Sequence, residues 1–146
     1  MYTKFLCKEA FNFLEDGIIN NNKERIVLGS LVSGLGFGNC STTLGHALSY
    51  VFSNEGISHG HALAFTTSVA HRFNNSIFYE RFVNLVRKLN FPAIRLKENT
   101  ETASELILTD RKHLDNNPKN VTKNDLRYLL EIINSGKALE SFELKN

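Results

Sequence analysis

Five clusters of asparagine with glycine, serine or proline cut this chain into short runs: Gly17–Asn22 (GIINNN), Asn54-Glu55-Gly56, Asn74-Asn75-Ser76, Asn90-Phe91-Pro92 and Asn116-Asn117-Pro118. Asn and Gly accept the backbone conformations of tight turns, and Pro cannot continue a helix and restricts the residue before it. Between these breaks the apolar residues recur at helical spacing. Leu6, Ala10, Phe13 and Leu14 share one face of a helix expected from Thr3 to Glu15, with Thr3 as its cap. Further helices are expected over Lys23–Gly38, Ser41–Ser53, His59–Phe73, Ile77–Leu89 and Glu101–Leu114. Ser41 or Thr42 would start the third, and Ser58 would cap the fourth. A last helix follows Thr122-x-x-Asp125, a capping-box pattern with Asp in place of the usual Glu or Gln. No segment alternates with period two for long enough to make a strand. The expected class is all-α: one helical domain over 1–134, with a polar, loosely held tail over 135–146.

The second helical run carries Gly29, Ser33, Gly34 and Gly38. Glycine costs about 1 kcal/mol per helical position relative to alanine, so several together suggest a face stripped for close helix packing. A loose Gly-rich loop is the alternative. The GLGFG run (34–38) is not a nucleotide loop: its spacing is not G-x-G-x-x-G and no strand precedes it.

With 146 residues the chain is long enough for one cored domain, and its 42% apolar and 22% charged residues are ordinary for a globular protein. A net charge of +2 without a basic stripe argues against a nucleic-acid partner. The longest apolar-leaning run, Ile26–Phe37, falls short of the roughly 20 residues needed to span a bilayer. Cys7 and Cys40 lack paired spacing, which favours reduced thiols and a cytoplasmic location.

The chemistry concentrates in Asn39–Phe65, NCSTTLGHALSYVFSNEGISHGHALAF, which holds three of the five histidines. His46 falls inside the third expected helix and His59 in the first turn of the fourth. If those helices pack antiparallel, both imidazoles can reach one point, and a divalent metal accepts such ligands. On spacing alone the signal is weak, since two histidines at this distance are more often unrelated. His61, two residues beyond His59, points about 200° around the helix and away from that pair. His71 and His113 are expected at the surface, the latter with Asp110 as a solvated i,i+3 pair. Cys40 and His46 are poorly matched in direction for a nucleophile and its base, so Cys40 is read as structural.

Thr42–Phe65 (TTLGHALSYVFSNEGISHGHALAF) resembles the metal-binding segment of the iron-containing (group III) alcohol dehydrogenases, where a histidine on one helix is followed by a Pro-His-Gly turn into the next. The GHALSY and HGHALA wording is closest to the branch that includes phosphonoacetaldehyde reductases. Glu24–Asn39 is similar to the small-residue helix before that motif, and Leu114–Ile133 to the closing Asn-Pro turn and final helix. Dehydroquinate synthases, in the same superfamily, share a similar histidine segment. They place an acidic residue after the second histidine's glycine, where this chain has His61.

The resemblance implies a helical bundle like the C-terminal domain of that family, without its N-terminal α/β nucleotide-binding domain. It implies that His46 and His59 are metal ligands, that the metal is Fe2+ or Zn2+, and that NAD(P) is used by the whole enzyme. His61 and Tyr50 would stand behind the ligands or on the wall of a substrate cavity. No catalytic side chain and no nucleotide-binding residue of this chain is implied. The family takes its other two ligands from an earlier D-x-x-x-H helix, and no Asp here has a His four residues later. The two histidines are also one residue closer in sequence than usual, and Ser58 stands where proline is common. The chain is thus expected to be part of a metal-dependent, NAD(P)-linked alcohol dehydrogenase or aldehyde reductase, incomplete and inactive alone. A missing N-terminal portion or self-association would cover it. The alternative is a non-catalytic helical scaffold or interaction module of the same descent.

Overall fold

A computed structural model describes residues 2–38 and 40–143. Eight helices and no strands are present among them, so the all-α class holds. The chain divides into two compact units, Met1–Thr42 and Thr43–Asn146. Asn39 and residues 144–146 of the expected tail lie outside the described residues.

The first unit is a helical hairpin of α1 (Tyr2–Ile19) and α2 (Lys23–Phe37). Asn21 turns the chain in the left-handed region (φ 51), and the Asn22 side chain accepts from the Arg25 N–H to cap α2. The hairpin is held by backbone-close packing. A Cβ at Gly29 would lie 2.9 Å from the Leu14 nitrogen, and Gly17 and Gly36 sit at similar approaches to Ile26 and Cys7. Gly17 therefore belongs inside α1 and does not break it. The glycines that serve the contact on α2 are Gly29 and Gly36, while Gly34 faces open space. Cys7 and Cys40 are free and exposed.

The second unit comprises α3 (Leu44–Asn54), α4 (His59–Phe73), α5 (Tyr79–Leu89), α6 (Thr100–Leu108), α7 (Arg111–Leu114) and α8 (Lys123–Asn134). Leu44, Leu48 and Phe52 make one fully buried stripe of α3, packed with Phe65, Val69 and Phe73 of α4 and Leu126, Leu129 and Leu130 of α8. Removing such side chains from water supplies about 25 cal/mol per Å² of apolar surface and is the main force holding the bundle. Asn75 and Asn90 take left-handed φ values of 53 and 52, which is why asparagine punctuates this sequence. The polar connection after α5 is pinned at three consecutive residues: Asn134 accepts from the Leu96 N–H, and Glu55 from those of Lys97 and Glu98.

Several boundaries differ from expectation for local reasons. α3 begins at Leu44, with Thr43 at the N-cap and no side-chain cap bond there or at Ser58. The helix expected over 101–114 is broken after Leu108, because Asp110 caps a new turn and accepts from the His113 N–H. The capping box at Thr122 and Asp125 forms in full. The segment read as a loose tail buries Ala138 and Phe142 over 135–143. Arg72 Nε donates to the Phe142 carbonyl at 3.1 Å and Tyr79 Oη to that of Glu140 at 3.1 Å. Among the described residues no helix is long and apolar enough to cross a membrane.

The α3–α4 contact is the tightest in this unit. A Cβ on Gly45 would lie 2.9 Å from Thr67 Oγ1 and 3.2 Å from Thr67 Cα. We therefore expect Gly45→Val to destabilise the fold by about 1–3 kcal/mol in urea unfolding, through overpacking. His71, expected at the surface, is half-buried on α4 with its ring 5.0 Å from that of Phe82, and burial lowers its proton affinity. The unfolded chain then binds the proton more readily, so stability is full above a pH of about 6.5 and is lost as the pH falls below it. His71→Gln should flatten that acid-side decline in urea titrations between neutral and mildly acidic pH.

Candidate metal centre

α3 and α4 run antiparallel, since Gly45 meets Thr67 at one end and Ser49 meets His59 at the other. This packing brings the first two candidate ligands together: the rings of His46 and His59 are 5.4 Å apart with their planes inclined at 59°. His46 is half-buried and His59 is exposed at the start of its helix.

The fully buried Ser49 hydroxyl links the two. It donates to the His46 carbonyl at 2.8 Å and lies 3.4 Å from His59 Nδ1. Its one proton is committed to the carbonyl, so it accepts from Nδ1–H of His59, which leaves the lone pair of that ring on Nε2. His46 is held below the usual histidine proton affinity, first by burial and then by the neighbouring His59 and His113. A neutral imidazole is the form that binds metal.

Tyr50 joins the pair. Its ring stacks on His59 at 5.8 Å and 16°. His61 goes elsewhere: its Nε2 is 2.6 Å from the Pro92 carbonyl and its ring stacks on Phe91 at 5.1 Å. It anchors the chain after α5 and stands apart from His46 and His59, because two residues of helix turn it away.

His113 was expected at the surface and is instead 9% exposed, its ring parallel to His46 at 6.4 Å and 6° and tilted against Tyr50 at 5.5 Å. Asp110 was expected as its solvated partner. The Asp110 carboxylate accepts from His113 Nδ1 at 2.7 Å, in a pair with side chains only 11% and 25% exposed. The helix break at Asp110 turns His113 inward, and the expected continuous helix hid that. Ser49 was also missed; its only sequence signal is its place one helical turn after His46.

A cavity of about 510 Å³ adjoins His46 and is lined by Thr43, Gly45, Thr67, His71 and Asn116 among others. Its wall is largely apolar, with a few hydroxyl, imidazole and amide groups set into it. Among the described residues, no three His, Cys, Asp or Glu side chains are placed to hold a metal ion together. What this chain offers is a two-imidazole arrangement with a hydrogen-bonded third imidazole behind it.

Comparison with curated proteins and with solved structures gives no match. The sequence model of the Fe-containing alcohol dehydrogenase family, C-terminal region, matches residues 3–113, which include both helices of the pair and extend to His113. With an all-helical fold and three quarters of its length matched, the chain belongs to the Fe-containing alcohol dehydrogenase family.

Proposed function

We propose that this chain supplies the metal-binding helical part of a metal-dependent, NAD(P)-linked alcohol dehydrogenase or aldehyde reductase, with His46 and His59 as two ligands of a divalent ion. The observation that carries the reading is the geometry of the pair. Imidazoles bound to one tetrahedral ion through nitrogens at about 2.0–2.1 Å have ring centres about 5 Å apart, and their planes must intersect at the ion. The 5.4 Å separation and 59° inclination suit that requirement. The Ser49 contact to His59 Nδ1 supports it, since metal-bound histidines commonly hydrogen-bond through their other nitrogen. Such a site accepts Fe2+ or Zn2+.

When bound, the ion acts as a Lewis acid that polarises a carbonyl or stabilises an alkoxide oxygen. The chain's own residues orient that ion between α3 and α4. The cavity beside His46 would hold a small alcohol or aldehyde, with Thr43, Thr67 and Asn116 as hydrogen-bonding groups. The wording of the histidine segment supports a substrate akin to those of phosphonoacetaldehyde reductase-like enzymes. Two imidazoles make a weak site, because catalytic ions usually take three protein ligands. Further donors and the nucleotide-binding elements would come from outside the described residues, from another portion of the enzyme or another copy. The exposed Val27, Leu31 and Leu35 on one stripe of α2 offer an apolar surface for such association in the cytoplasm. A second reading, a non-catalytic scaffold of the same descent, is favoured by the absence of three converging donors among the described residues.

Metal titration of the purified chain with Zn2+ and Co2+ tests the ligands. One ion per chain is expected, lost in His46→Ala and in His59→Ala and kept in His61→Ala. A chain that binds no divalent ion at all overturns the assignment.

A further inference from the structure

The four rings at this site form two stacked pairs. His113 lies parallel to His46 within 6°, and Tyr50 lies within 16° of parallel to His59. The inclination between Tyr50 and His113 is 59°, the same as that between His46 and His59. A third imidazole this close to a proposed ion invites assignment as a third ligand, and the geometry opposes it. A histidine lone pair lies in the plane of its ring. Rings in parallel planes meet at one point only when coplanar and on opposite sides of it, and the 6.4 Å between His46 and His113 exceeds the roughly 5 Å expected for two rings on one tetrahedral ion.

We infer that His113 and Tyr50 are positioning residues: each is a platform that holds the ring plane of one proposed ligand, His113 for His46 and Tyr50 for His59. The inference rests on the reading of His46 and His59 as ligands. Imidazole torsions about the outer side-chain bond are broad, so an unsupported ring samples many planes, of which few meet its partner's. Stacking at centroid distances of 4.5–7 Å is attractive, and fixing the planes beforehand lowers the ordering cost of binding.

The platforms are themselves anchored. Asp110 holds His113 Nδ1 at 2.7 Å through both carboxylate oxygens and caps α7, which packs on α3. Tyr50 shares α3 with His46, one helical turn along. The anchor for the His46 plane thus comes from a segment 67 residues away in sequence (113 − 46), and the anchor for the His59 plane from the helix opposite it.

Co2+ affinity of the full chain, by visible absorption and competition with Zn2+, tests this through substitutions that keep or remove the ring. His113→Phe keeps a flat platform without a nitrogen, and should stay within about threefold of the wild type, whereas His113→Ala should bind roughly 10- to 100-fold more weakly with unchanged far-ultraviolet dichroism. Tyr50→Phe and Tyr50→Ala should divide in the same way. Equal loss in His113→Phe and His113→Ala would make the nitrogen the active feature and overturn the platform. Wild-type affinity in His113→Ala would overturn it as well. Should His113→Ala not fold, the Tyr50 pair decides, since Tyr50 is 41% exposed: wild-type affinity in Tyr50→Ala then rejects the inference. A wild-type chain that takes up no Co2+ refutes the ligand assignment itself, and this inference with it.

Discussion

The approach of α3 to α4 at Gly45 and Thr67 is the contact on which the second unit depends. With no side chain at Gly45, the two helix backbones close until a Cβ would have met Thr67 Cα at 3.2 Å. From that point the antiparallel run sets every later pairing. It aligns the buried stripe Leu44, Leu48, Phe52 with the apolar face of α4, and it carries Ser49 to within hydrogen-bond range of His59. Moving α4 outward by the radius of a methyl group would separate the two imidazoles by a comparable distance. The ligand pair is therefore a consequence of helix packing before it is a matter of its own side chains.

The polar groups at the site are arranged so that burial costs little. A buried hydroxyl or imidazole without a partner costs about 1–3 kcal/mol. Ser49 spends its proton on the His46 carbonyl and its lone pair on His59, and His113 spends Nδ1 on Asp110. Burial, and then the neighbouring His59 and His113, lower the proton affinity of His46. A neutral ring is the state that a divalent ion requires.

Helix positions were legible in the sequence because their ends are marked by residues with strong backbone preferences. Asn75 and Asn90 read as turns and adopt left-handed backbone, and Thr122 and Asp125 read as a capping box and form one. His46 and His59 were legible as a pair through the wording of their segment. The break at Asp110 was not, since apolar spacing runs through it and an Asp within a helix is unremarkable. Missing that break sent His113 to the surface in the sequence reading. Nor was the role of the glycines legible in detail: Gly29 and Gly34 look alike in the chain, and only the first faces Leu14. The segment 135–143 reads as polar, and two apolar residues, Ala138 and Phe142, are enough to dock it. The glycine and tail misses share a cause, since each depends on which distant residue stands opposite, and periodicity carries no information about that; the break at Asp110 is local, made by its own capping bond from the His113 N–H.

An ion held by His46 and His59 would also act on the fold. Its two ligands lie on different helices, so binding bridges α3 to the first turn of α4, the part of that helix whose N-cap has no side-chain bond. A ligand at 100 times its dissociation constant stabilises the state that binds it by about 2.7 kcal/mol, comparable to the contribution of one large core side chain. The stabilisation needs no third donor and no nucleotide, only enough affinity from the pair. The dehydrogenase and the scaffold readings therefore make the same demand on Gly45, Ser49, His46 and His59. They part at the remaining coordination positions, where an enzyme must leave one open to substrate and a structural site closes them all.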